Sequence, residues 1–188
     1  MNDLLSAVGT AGSLRLFLSP CLFYLVWILS LSLLTIECFS QTTLQINGGH
    51  LIQNGNSQIV LQNTEWTNNG IYESGTGTVL FSGDHPQEQT NIGGNSISQF
   101  YNLELQKSAN GVQLEQNIEI KNELRMNGGI LDLHGDTILL ATPNSAIINE
   151  SEFNRILGPN GGIIQKMVDP SSNAPNAYGN LGVELITF

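Results

Sequence analysis

From residue 41 onward, apolar and polar residues alternate with a period of two, in short runs punctuated by Asn-Gly steps at Asn47, Asn54, Asn69, Asn110, Asn127 and Asn160. Tyr101, Leu103 and Leu105 alternate with Asn102, Glu104 and Gln106; Ile118 and Ile120 with Asn117, Glu119 and Lys121; Leu124 and Met126 with Glu123 and Arg125. A period of two places every second side chain on one face, so each run predicts a strand with one apolar and one wet face. Asn and Gly both accept positive φ, which lets the chain bend or reverse where a bulkier residue would clash. Helical periodicity is absent, and the region reads as all-β.

Two architectures accommodate such a series. Asn47-Gly48-Gly49-His50-Leu51, Asn127-Gly128-Gly129-Ile130-Leu131 and Asn160-Gly161-Gly162-Ile163-Ile164 each read as a bend followed by a strand. The intervals between Gly-Gly pairs, counting Gly93-Gly94, are unequal, so no strict repeat is present. An irregular parallel β-helix tolerates this, because each coil carries its own loop while the strands still stack. A β-sandwich would use the same Asn-Gly steps as antiparallel hairpins. The abundance of Asn, which forms stacked ladders at coil corners, favours the β-helix over residues 41–168, with residues 169–188 a tail holding the start of a further β segment.

Residues 1–40 are of a different kind. An apolar run from Leu16 to Ile36 follows Arg15 and ends in Glu37-Cys38-Phe39-Ser40. That order predicts a secretory signal peptide cleaved after Ser40, which makes residues 16–36 the membrane-contacting part before cleavage. The run approaches the roughly 20 residues that span a bilayer, so an uncleaved anchor is the alternative; Pro20 shortens it. Glu37 directly before Cys38 argues against a lipoprotein signal. Cys21 and Cys38 both lie here, so residues 41–188 contain no cysteine and have neither disulfide nor thiolate metal site. Such a domain is held by core burial and backbone hydrogen bonds.

The chain has 16 acidic and 6 basic residues, of which only Asp3, Glu37 and Arg15 precede residue 41, leaving the exported part about nine charges negative. Lys107, Lys121, Arg125, Arg155 and Lys166 are too few and too scattered to follow a phosphate backbone, so nucleic acid is excluded as a partner. Anionic lipid surfaces are disfavoured on the same ground. Acidity of this size keeps an extracellular protein soluble.

Residues able to carry chemistry are sparse. Asp132, His134 and Asp136 stand at spacing two, which a strand would present on one face as a metal-ligand set. Leu131 and Leu133 alternate with them, so the plainer reading is the solvent face of a strand running into a bend at Gly135. Gly128-Gly129-Ile130-Leu131-Asp132 lacks the serial nonapeptide of calcium-binding β-rolls. Asp84-His85 could form an acid-base pair, but no nucleophile or second carboxylate accompanies it, and loop polarity accounts for both. Among the aromatic residues Trp66, Tyr72, Phe100 and Tyr101, Trp66 and Tyr72 on one exposed face would stack on a sugar ring, but buried aromatics filling the coil ends are the plainer reading. Asp136-Thr137-Ile138 matches a short O-glycosylation pattern with Thr137 as acceptor, and Asn149-Glu150-Ser151 is a formal N-glycosylation triplet. No catalytic residue and no cofactor is implied.

The stretch Phe100-Tyr101-Asn102-Leu103-Glu104-Leu105-Gln106-Lys107-Ser108, with Gly111-Val112-Gln113-Leu114, Asn117-Ile118-Glu119-Ile120, Leu124-Arg125-Met126 and Gly128-Gly129-Ile130-Leu131, resembles a module of large secreted proteins of the Bacteroidota. Asn154-Arg155-Ile156-Leu157-Gly158-Pro159 and Asn180-Leu181-Gly182-Val183-Glu184 are similar to the segment C-terminal to that module. The resemblance covers most of residues 44–187. It implies an exported, surface-located protein, usually ending in a type IX secretion sorting domain. The chain stops at Phe188 without one, so the expectation is a truncated copy that halts in the periplasm. The resemblance leaves two functional classes: a non-catalytic structural or adhesive module whose partners are extracellular polysaccharide or other surface proteins, and a carbohydrate-binding or carbohydrate-active β-helix. The second would need carboxylates at the separation glycoside hydrolysis requires, or loop groups from Gly83 to Gly94.

Overall fold

The structure, a computed structural model, describes residues 42–84, 89–108, 110–167, 176–177 and 184–185. The expected leader, its cleavage point after Ser40, and His85 lie outside the described residues. Strands β1 (Thr42–Ile52), β3 (Thr64–Glu73), β5 (Thr90–Gly94), β7 (Val112–Leu114), β9 (Ile130–Asp132) and β12 (Arg155–Leu157) form one sheet in that order. Strands β2 (Gln58–Gln62), β4 (Thr78–Gly83), β6 (Ser98–Lys107), β8 (Ile118–Gly128), β10 (Thr137–Leu140) and β13 (Ile163–Lys166) form a second, to which β11 (Ala146–Ile148) adds beside β8. Apart from β11, which follows β10 within the second sheet, strands alternate between the sheets along the chain, and every pairing in both is parallel. This is a β-solenoid. The sandwich alternative is excluded, because its hairpins require antiparallel neighbours. A small antiparallel pair, β14 (Asn176–Ala177) with β15 (Glu184–Leu185), falls in the segment expected to begin a further β element.

The second sheet bends. Ile118–Ile120 at the start of β8 pairs with β10, whereas Glu123–Arg125 further along pairs with β11. Two sides of the coil are thus carried by single long strands, and register shifts mark the bend, as between Phe100 and Asn102 on β6.

The alternation of the sequence becomes columns of stacked side chains. Val79, Leu103 and Leu124 occupy one column, Phe81, Leu105 and Met126 the next, and Phe100, Ile120 and Leu140 a third, all buried. From the first sheet, Trp66, Ile92 and Leu114 face them. Each such side chain contributes roughly 1.5–3 kcal/mol by leaving water. At the coil ends Leu44, Leu51 and Ile59, and Ile147, Ile156 and Ile164, are only partly covered, because each lacks a rung on one side.

Polar side chains stack as well. Asn149 Nδ2 donates to Asn127 Oδ1 at 2.6 Å, and Asn127 Nδ2 donates to Glu104 Oε1 at 2.7 Å, one rung below the next. A second ladder runs from Asn122 Nδ2 to Asn102 Oδ1 at 2.8 Å and from Asn102 Nδ2 to Thr78 Oγ1 at 3.3 Å. An amide both donates and accepts, so it continues a ladder that a hydroxyl or carboxylate can end.

The Asn-Gly steps are corners, and three of them lie inside strands. Asn47-Gly48 belongs to β1, Asn69-Gly70 to β3 and Asn127-Gly128 to β8. At the first, Asn47 pairs with Asn69 and His50 with Ile71, so Gly48 and Gly49 together oppose Gly70. This is a β-bulge, and Gly48 takes a φ of 68° to form it.

Candidate functional site

The structure sorts the residues singled out by sequence. Trp66, Tyr72 and Phe100 are buried together: Trp66 and Tyr72 meet edge to face with ring centroids 4.7 Å apart, and Phe100 lies 5.4 Å from Trp66 and 5.7 Å from Tyr72. Trp66 Nε1 donates to Ser98 Oγ at 2.8 Å, and the Tyr72 hydroxyl donates to Gln53 Oε1. Burial pushes the Tyr72 phenol well above its ordinary range, so it stays a neutral donor. No sugar reaches these rings. Tyr101 is half-buried, and Asp84 is exposed just beyond β4.

Asp132, His134 and Asp136 do not share a strand face. Strand β9 ends at Asp132, and His134 adopts a φ of 49°, which turns the chain. Asp132 Oδ1 accepts from the His134 amide at 2.9 Å, closing an Asx turn, and His134 Nδ1 meets Asn160 Nδ2 at 3.2 Å. Among the described residues no three His, Cys, Asp or Glu side chains gather as a metal site. The spacing-two pattern reflects a turn, with Leu131 and Leu133 still pointing inward on either side. Thr137 opens β10 half-buried, its amide donating to Asn117 Oδ1 at 2.8 Å. Asn149 is committed to its ladder, and Ser151 to fastening its own loop.

Desolvation pushes the Asp136 carboxyl above its usual 3.8, and His134 partly opposes the shift. A carboxyl with a raised folded-state pKa binds its proton more tightly in the folded chain, so its contribution to stability falls as pH rises through the carboxylate range. Asp136→Asn is therefore expected to leave the melting temperature at pH 7 unchanged or slightly raised, with the difference vanishing at pH 3. A variant that melts lower at pH 7 would show that the charged form is held by a partner.

One feature with no prominence in the sequence is the groove at the corner where Asn110-Gly111 meets Gly129-Ile130 of the next rung. Its volume is about 590 Å³, within the 300–1,000 Å³ usual for small-ligand sites, and Gln89, Lys107, Asn110, Asp132, Phe153 and Asn154 line it. Gly111 and Gly129 line it without side chains: a Cβ on Gly111 would fall 1.9 Å from the Ile130 carbonyl oxygen, and one on Gly129 3.1 Å from that of Lys107. Lys107, by sequence one of five scattered cations, is only 2 % exposed. Its Nζ reaches across side-chain-free Gly83, its partner on β4, to Asn63 Oδ1 on the rung beyond at 3.4 Å, and donates to Thr90 Oγ1 at 2.8 Å. A chain-local reading cannot see that gap, so the burial of Lys107 has no sequence signal.

Phe153, by contrast, is 80 % exposed. Ser151 Oγ accepts from the Phe153 amide at 3.3 Å and the Asn154 amide at 3.1 Å, while the Ser151 amide donates to the Asn154 carbonyl at 2.8 Å. The loop backbone is tied to itself, and the exposed Phe153 lines the groove. A lone aromatic between Asn149 and Asn154 is the sequence signal that could have found it. Comparison of the chain with protein-family models, with curated proteins and with solved structures gives no match.

Proposed function

We propose that this chain is a non-catalytic structural or adhesive module of an exported cell-surface protein. The observation that carries this is the use made of its polar side chains. Asn102, Asn122, Asn127 and Asn149 join rung to rung, and Asp132 and Ser151 fasten turn backbones. Groups that would otherwise be candidates for catalysis serve the scaffold. The export part of the reading draws on the leader pattern of residues 1–40, the cysteine-free composition of residues 41–188 and the resemblance to Bacteroidota surface modules.

The test has two arms. Cell fractionation with an antibody to the chain should recover it outside the cytoplasm, and incubation with plant and algal polysaccharides should release no reducing ends. Turnover that is lost in Asp84→Asn or Asp132→Asn would overturn the non-catalytic reading. Recovery only in the cytoplasm would overturn export. The competing class, a carbohydrate-binding β-helix, is favoured by one observation, the corner groove beneath Phe153.

A further inference from the structure

We infer that the groove lined by Lys107, Asp132, Phe153 and Asn154 is a binding site for a neutral saccharide. The class of ligand is set by the groups that the groove offers. Phe153 presents an aromatic face to solvent, and a sugar ring covers such a face with its axial C–H groups, removing apolar surface from water without needing charge. The Ser151 clamp holds the backbone from which this exposed ring projects.

The polar groups beside it complete the chemistry of a diol. Asp132 uses Oδ1 on the His134 amide, and among the described residues Oδ2 makes no hydrogen bond, so it remains an acceptor. Asn154 accepts from the Gly129 amide at 3.3 Å through Oδ1, which leaves Nδ2 as a donor. A hydroxyl donates and accepts at once, so adjacent sugar hydroxyls match one carboxylate oxygen and one amide nitrogen. Lys107 fills the wall with its alkyl stem while its ammonium is engaged by Thr90 and Asn63, so it adds shape without a free positive charge at the mouth. Gly111 and Gly129 line the groove with backbone alone, so no side chain fills it there.

Charge selects among saccharides. The chain carries a formal net charge of −10, and a carboxylate stands in the groove itself, so uronate-rich or sulfated polymers are repelled and neutral hexose or pentose polymers are accepted. Preorganisation assists, because the Ser151 clamp orders the backbone that carries Phe153 and the Asx turn holds the Asp132 carboxylate before a ligand arrives. The site rests on the carbohydrate-binding reading, which a non-catalytic adhesive module can also carry.

The experiment is affinity electrophoresis of the full-length chain through gels containing laminarin, galactomannan or xyloglucan as neutral polymers, and alginate or carrageenan as anionic ones. Retardation is expected in at least one neutral gel and in neither anionic gel. Phe153→Ala should weaken it about tenfold, and Asp132→Asn by a similar factor. Phe153→Ala leaves an exposed position, so its melting temperature should match that of the unaltered chain and separate lost binding from lost fold. No retardation in any neutral gel, retardation confined to the anionic gels, or retardation undiminished in Phe153→Ala would each overturn the assignment. Surface location without retardation would leave the module reading standing and remove the groove, whereas retardation accompanied by hydrolysis would retain the groove and remove the non-catalytic reading.

Discussion

Trp66→Ala is expected to lower the unfolding free energy by about 3–5 kcal/mol, the range for removing a large aromatic side chain from a closed interior. Trp66 is fully buried where the first sheet faces the start of β6, and its ring contacts both Tyr72 and Phe100. Alanine would leave a cavity bounded by two aromatic rings and by strand backbone on successive rungs. Parallel strands stacked in register cannot close inward to fill it, so the cost belongs at the upper end of that range. The lost indole donor matters less, because Ser98 Oγ also receives Gln116 Nε2 at 3.4 Å. Against a total stability of about 5–15 kcal/mol for a domain of this size, the variant loses a third or more of its margin. Urea denaturation followed by far-ultraviolet circular dichroism measures it. Trp66→Phe keeps most of the ring contacts and should cost less than half as much; equal costs for the two would place the stabilisation in the hydrogen bond to Ser98.

The same aromatic cluster shows what the sequence disclosed and what it withheld. Alternation identified the inward residues correctly where strands are regular, as at Leu103, Leu105, Leu124 and Met126, because period two is a property of the extended backbone itself. Stacking register is set by loop length, and loop length varies. Thr42 pairs with Thr64, Trp66 with Ile92 and Val112 with Leu131, steps of 22, 26 and 19 residues. No repeat search tuned to one period would align them. Beyond β9 the alternation misleads, since Asp132 and His134 continue the pattern while the backbone has already turned at a left-handed His134. The groove was least visible of all. Lys107, Asp132 and Phe153 come from three different rungs, and only the stack brings them to one corner.

The corner glycines allow a sharper test, because two that look alike in sequence are expected to differ. Gly49 follows Asn47-Gly48 and Gly111 follows Asn110, so both belong to Asn-Gly corners and neither has a positive φ. A Cβ on Gly49 would meet nothing within 4 Å, whereas one on Gly111 would lie 1.9 Å from the Ile130 carbonyl oxygen and 2.7 Å from its carbonyl carbon. Those atoms are backbone, held at the start of β9 by its pairing with β7, and cannot rotate aside as a side chain would. Gly111→Ala must push two rungs apart, which is expected to cost about 3 kcal/mol, the upper end for overpacking. Gly49→Ala should remain within about 0.5 kcal/mol of the unaltered chain, since the added methyl meets only solvent and reduces the freedom of the unfolded state. Denaturation midpoints of the two variants decide the matter. If they agree, Asn-Gly steps serve mainly as flexible links. If Gly111→Ala alone collapses, glycine stands at that corner because the next rung occupies the space a side chain would need, and the same close approach forms the floor of the groove.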